Sequence, residues 1–217
     1  QVSLRLAGVN FGDEVVTQAL TFVATANAIA YNNAHPVFVD VDLDTMGMSP
    51  DALRSFLEEY GEKREDGVFN TKTGKRIAAV LPMHTFGFMC RISEIKDICT
   101  DWGIPLVEDA AEALGSKSED QSAGSFGLLG AFSFNGNKII TSGGGGIIVS
   151  NDLDLGQNVM YLTTTAKKPH SYEYFHDELG YNFRMPNINA ALACAQLEQL
   201  NTFINNKRWI FLFPHLI

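Results

Sequence analysis

Two stretches of this chain carry residues whose types and spacing could do chemistry together. In "SFNGNKIITSGGGG" (133–146) a single ammonium, Lys138, stands directly before Ile139 and Ile140, with a run of glycines beginning at Gly143. In "VEDAAEALGS" (107–116) an apolar run ends in Glu108 and Asp109. A lysine held in a confined, partly desolvated site loses its proton readily and becomes a nucleophile. A carboxylate buried beside it needs a cation or several hydrogen-bond donors. These demands are met together by pyridoxal phosphate: Lys138 would take its aldehyde, the carboxylate its pyridinium nitrogen and the Ser133 hydroxyl its phosphate. The glycines of 142–146 would remove side-chain bulk beside the lysine. Each group also has a plain structural reading. A lysine at a strand end is commonly a solvated charge, a glycine run a turn, and Glu-Asp-Ala the acidic start of a helix.

The elements that must position these residues alternate along the chain. Short β-rich runs recur at 14–17, 36–41, 77–81, 104–108, 131–134 and 146–150, several of them apolar almost throughout, as strands covered on both faces are. Between them, Ser49-Pro50 starts a helix whose face is Leu53, Phe56, Leu57 and Tyr60, and a second helix carries Ile92, Ile95, Ile98, Cys99 and Trp102 up to Gly103. A helical segment opens the chain and closes at Gly8, and one long helix pattern begins near residue 187. The charged, glycine-rich segment 58–76 reads as a surface excursion. This alternation predicts an α/β fold with right-handed crossovers and a mostly parallel central sheet flanked by helices. Ligands on such sheets gather beyond the carboxyl ends of the strands, where both chemical stretches fall.

Composition narrows the function classes. The 217 residues, 46% hydrophobic, suffice for a sizeable core, and the net charge of −9 comes with no basic block, which argues against a nucleic-acid surface. No apolar run approaches the ~18 residues of a membrane span, so the expected partners are small molecules and the expected compartment the cytoplasm. Cys90, Cys99 and Cys194 form no metal-type pair, and the spacing of His170 and His176 suits no ligand motif; no metal is expected.

The strings 12–42, "VEDAAEALGS", "FSFNGNKIITSGGGGIIVSND" and "GYNFRMPNINAALACAQLEQL" (180–200) resemble, in order and spacing, the DegT/DnrJ/EryC1/StrS aminotransferases, over a span from about residue 3 to Arg208. The resemblance implies a type I, aspartate aminotransferase-like pyridoxal-phosphate fold, with a large domain over 1–186 and, from 187 to 217, a long helix leading toward a small domain. It implies that an amino group, with glutamate as donor, passes to the 4-keto group of a UDP- or GDP-linked 2-acetamido-2,6-dideoxyhexose. The segments 73–87, "SFNGNK" and 162–170 resemble most the members of legionaminic-acid-type sugar synthesis.

Residue by residue, the resemblance makes Lys138 the Schiff-base lysine and Asp109 the acid paired with the pyridine nitrogen. Phe22 would stack over the ring and Ser133 would bind the phosphate. Glu112 stands where many members carry glutamine or histidine near the cofactor hydroxyl. Asn182 would reach the phosphate in the neighbouring subunit of a homodimer with a shared site. His84 is expected near cofactor or sugar, and Arg184 near the donor carboxylate. The related sugar dehydratases replace the lysine with histidine. Members extend beyond both ends of this sequence, and "WIFLFPHLI" (209–217) does not resemble their continuation, so the chain reads as truncated at both ends. A non-catalytic, self-associating fragment is therefore the competing expectation.

Overall fold

The computed structural model describes residues 1–212, so the last five residues of the apolar tail lie outside the described part. Helix α1 (Val2–Leu6) leads into β1 (Glu14–Gln18), all of whose residues are buried. After α2 (Val23–Ala30), β2 (His35–Val39) pairs parallel to β1. Helix α3 (Pro50–Tyr60) starts as its sequence predicts, with the Ser49 side chain accepting the Ala52 N–H and proline in the first turn.

The segment expected as a surface excursion is instead part of the sheet. Strands β3 (Gly61–Arg64) and β4 (Gly67–Asn70) form a hairpin that joins antiparallel to β5 (Arg76–Leu81). The two-residue turn is Glu65-Asp66, and Gly67, the first residue of β4, takes φ 138°, a value open to glycine. The charge of the hairpin stays in solvent, with Glu62, Lys63 and Arg64 of β3 and Glu65 and Asp66 of the turn all exposed. Val68 and Asn70 point into the core, where Asn70 Nδ2 donates to Glu14 Oε2 at 2.8 Å.

Helix α4 (Ile92–Trp102) ends at Gly103 in the left-handed conformation, and β6 (Val107–Asp109) follows. Parallel bridges Val80–Leu106 and Met83–Asp109 set β6 beside β5. The small ribbon β7 (Lys117–Ser118) and β8 (Gln121–Ser122) precedes β9 (Leu129–Ser133), which runs parallel to β6; β10 (Gly146–Val149) closes that edge antiparallel. The strands that frame the site therefore run β2-β1-β5-β6-β9-β10, parallel but for the last, and Gln18, Leu81, Asp109 and Ser133 end on one edge.

Both faces of the sheet are covered, which explains the continuous apolar runs. Val16 and Val80 pack under Leu53, Leu57, Ile92, Ile95 and Ile98 of α3 and α4. On the other face Val15, Ala79, Leu81 and Leu129 meet Leu4 and Ile29. Helix α5 (Leu153–Thr163) lies beside α1, its Leu162 packed with Val2. The long helix predicted from residue 187 is broken in two, α6 (Asn187–Leu197) and α7 (Leu200–Leu212), at Glu198-Gln199. Ala193 before the break and Leu200 and Phe203 after it all pack on Phe134 and Ile140.

Ile95 is fully buried between α4 and the sheet. Ile95→Ala is expected to cost about 2–5 kcal/mol, read as a lower urea midpoint with an unchanged slope.

Candidate active site

The carboxyl ends of β5, β6 and β9 border a cleft of about 430 Å³, within the roughly 300–1,000 Å³ usual for small-ligand sites. Asp109, Glu112, Ser133, Lys138 and Phe22 all line it. The topology thus brings five of the expected site residues into one space, from segments as far apart as residues 22 and 138.

Asp109 is the last residue of β6, and its backbone is held on the sheet by N–H donation to the Pro82 carbonyl and by acceptance from the His84 N–H. Its Oδ2 accepts from the Thr25 hydroxyl at 2.6 Å and its Oδ1 from the Ala111 N–H at 3.1 Å. Among the described residues no side-chain cation pairs with it. Two neutral donors orient this carboxylate, and the Gln1 ammonium in the same cleft acts on it by charge; with no side-chain cation bonded to it, the carboxylate suits a cationic ring nitrogen. Thr25, buried at the start of α2 and bonded in turn to Thr21 Oγ1, was not anticipated. A hydroxyl in the first turn of a helix looks like ordinary capping in sequence, and only the approach of α2 to β6 reveals its use.

Lys138 lies on the loop between β9 and β10. The loop is pinched at its base, where the Ser142 N–H and Thr141 hydroxyl donate to the Phe134 carbonyl. Ile140 is driven into the cluster under α6, so the apolar neighbour anchors the loop while the amine stays at the cleft. Lys138 Nζ donates to Glu112 Oε1 at 3.0 Å, with the lysine side chain 15% exposed. Glu112 Oε2 accepts the Phe86 N–H at 3.0 Å. The expectation for the glycines is corrected. They do not line the cleft; Gly143 and Gly145 take positive φ in the turn, and a Cβ on Gly146 would sit 2.4 Å from the Phe132 carbonyl oxygen of the paired strand.

Glu108 and Asp109 are split by the alternation of the strand. Glu108 points the other way and is fully buried. Its Oε1 accepts the N–H groups of Phe126 and Gly127, and its Oε2 accepts the Gly124 N–H and His84 Nε2. Burial alone pushes this carboxyl up, but the His84 hydrogen bond, the Gly127 N–H, the charge of His84 and the Gly124 N–H together outweigh it and hold it below the ordinary carboxylate value. His84 is likewise fully buried, so the side chain expected near cofactor or sugar faces the core and touches neither cavity wall. Its second ring nitrogen meets Cys90 Sγ at 3.5 Å. Burial, then the charge of Glu108, pushes the Cys90 thiol up to about 12.

Phe22 caps the start of α2 at the cleft rim, 73% exposed. Ser133 Oγ accepts the Asn135 N–H at 3.3 Å. Asn182 and Arg184 are exposed and do not line this cleft; Arg184 has no ion pair among the described residues. Neither joins the cleft within one chain. The donor set fits pyridoxal phosphate: a sequestered amine for the aldehyde, a carboxylate held by neutral donors for the ring nitrogen, an exposed aromatic face at the rim and a hydroxyl at the strand end.

The sign of the Glu108 effect is definite. A carboxyl depressed in the fold contributes stability above its unfolded value, near 4.5, that is lost as pH falls through the depressed value. Acid unfolding curves should show this component, and Glu108→Ala should lack it while losing about 3 kcal/mol or more at neutral pH through stranded donors.

Comparison with known proteins gives this geometry its family. The profile described as the DegT/DnrJ/EryC1/StrS aminotransferase family matches residues 1–213. A Bacillus subtilis (strain 168) protein named as a pyridoxal phosphate-dependent aminotransferase, EpsN, is 42% identical over 210 residues, 97% of this chain and 51% of its own length. GDP-perosamine synthase of Escherichia coli O157:H7 is 38% identical over 213 residues, 96% of this chain and 54% of its own length. A crystal structure of a DegT DnrJ EryC1 StrS aminotransferase from Brucella abortus superposes with a TM-score of 0.82 at 30% identity, covering 92% of this chain and 51% of that one. The chain spans about half the length of these relatives. With an α/β sheet whose strand ends assemble the amine, carboxylate and hydroxyl of one cleft, and a profile match along nearly its whole length, the chain belongs to the DegT/DnrJ/EryC1/StrS family of pyridoxal phosphate-dependent aminotransferases.

Proposed function

We propose that this chain carries the cofactor half of an active site that transfers an amino group, from glutamate, to the 4-keto group of a nucleotide-linked 2-acetamido-2,6-dideoxyhexose in cell-surface sugar synthesis. The observation that carries the reading is the pairing across one cleft of a largely buried Lys138 amine with the Asp109 carboxylate, which has no side-chain cation bonded to it among the described residues. The nucleotide-sugar class is supported by the relative named GDP-perosamine synthase. The particular hexose rests on the likeness of segments 73–87, 133–138 and 162–170 to legionaminic-acid-type members.

Bound pyridoxal phosphate would supply an electron sink for the donor's Cα and a carrier for its nitrogen. Lys138 Nζ would hold the aldehyde carbon and, once displaced, take the proton from the donor Cα. Asp109, oriented by Thr25 and the Ala111 N–H, would keep a proton on the ring nitrogen by its charge. Phe22 would cover one ring face and shield it from water. Ser133 would donate to the phosphate. Asn182, exposed and outside this chain's own cleft, would act across a homodimer interface, and Arg184 would hold the donor carboxylate.

A second reading, a self-associating polypeptide without catalysis, is favoured by exposed Phe183, Ile188, Leu192 and Leu197 on and before α6. Trapping separates the two. After incubation with pyridoxal phosphate and borohydride, a phosphopyridoxyl adduct is expected on the Lys138 peptide and absent in Lys138→Ala. Amino transfer from glutamate to UDP- and GDP-linked 4-keto hexoses should vanish in the same variant; full turnover there, or an adduct only at other lysines, overturns the reading.

A further inference from the structure

The contact between Lys138 and Glu112 has a consequence that rests on Lys138 being the amine that takes the cofactor aldehyde. The two oxygens of Glu112 have separate tasks, Oε1 receiving Lys138 Nζ and Oε2 the Phe86 N–H, each at 3.0 Å. Phe86 lies in the left-handed region at φ 53°, where a phenylalanine is strained and persists only when its surroundings hold it. They do: Thr85 is buried, bonded to Gln18 Nε2 and to the Met46 carbonyl, and the Ser116 hydroxyl donates to the Gly87 carbonyl at 2.6 Å.

The segment carrying Glu112 is packed just as closely on this turn. A Cβ on Gly87 would sit 2.7 Å from the Glu112 carbonyl oxygen. Glu112 is therefore a carboxylate fixed in place, while Lys138 is a long side chain free to swing about its stem. Around this pair the other charged groups are Asp109 and the Gln1 ammonium in the first cleft and Lys207 and Arg208 across an adjoining cavity of about 650 Å³, which shares Glu112, Asn137 and Lys138 with the first. Glu112 is the one that touches the amine.

We infer that Glu112 is a positioning residue, the fixed seat that receives the Lys138 ammonium whenever the lysine is not bonded to the cofactor, and so a competitor of the aldehyde for that amine. For capture, the ammonium must leave Glu112 and give a proton to water. Its lone pair then adds to the aldehyde carbon, and the carbonyl oxygen departs as water as the C=N bond forms. Borohydride, as reductant, then delivers hydride to the carbon and water protonates the nitrogen.

Glu112→Gln keeps an acceptor for the Phe86 N–H and removes the charge that holds Lys138. Cofactor-free protein mixed with pyridoxal phosphate at neutral pH and quenched with borohydride at intervals should form the Lys138 adduct about three- to tenfold faster in this variant, with its thermal midpoint unmoved. Glu112→Asp, with the charge retained but withdrawn by one methylene, should fall between the two. Structural damage slows capture, so acceleration is a readout that a merely structural role would not give. Capture equal to or slower than the unmodified protein in folded Glu112→Gln overturns the inference; if that variant does not fold, unchanged capture in Glu112→Asp does so. No Lys138 adduct even in the unmodified protein overturns the aminotransferase reading itself and this inference with it.

Discussion

The carboxylate of Glu108 is the interaction on which the surroundings of the cleft depend. An ionised group with no exposure to water persists only if its lone pairs are filled, and here three backbone N–H groups and the His84 ring fill them. Those donors come from the turn at 124–127 and from the segment just past β5. One side chain therefore ties the entry to β9 and the exit of β5 to β6, and the strand ends that border the cleft are set by that tie. Removing it would strand several donors in the core at once.

Because side chains alternate along a strand, fixing Glu108 downward fixes Asp109 upward. The same residue pair thus serves as foundation and as site, and the two carboxylates differ in kind. Glu108 is saturated with donors, a histidine among them; Asp109 has two neutral donors and no side-chain cation bonded to it among the described residues. A ligand cation adds electrostatic stabilisation at the second and has no room at the first.

The opposite wall depends on packing. Ile140 sinks beneath α6 and pins the loop, so that Lys138, two residues earlier, stands over the cleft without relying on a rigid strand. The carboxylate of Glu112, which accepts the N–H of the strained Phe86, completes that wall. The Lys138 ammonium is stabilised by a carboxylate at hydrogen-bond distance.

The sheet strands, the helices α3 and α4 and the grouping of Lys138, Asp109 and Ser133 were legible in the chain, because apolar period, capping residues and strand ends are local properties. Phe22 and Glu112 were legible only through family resemblance, since nothing about their own spacing marks them. The hairpin at 61–70 was hidden because half its side chains are charged and solvated. The split of the last helix depends on contacts with Phe134 and Ile140 that no helical period encodes. His84 carries no local sign of whether it faces a ligand or the core; the depth of Glu108 decides that. The sequence by itself determined which residues are able to do chemistry and that strand ends would collect them. Which carboxylate faces the cleft, and which partner holds the lysine, was decided only in the tertiary structure, because both depend on how buried charges from distant segments find enough donors.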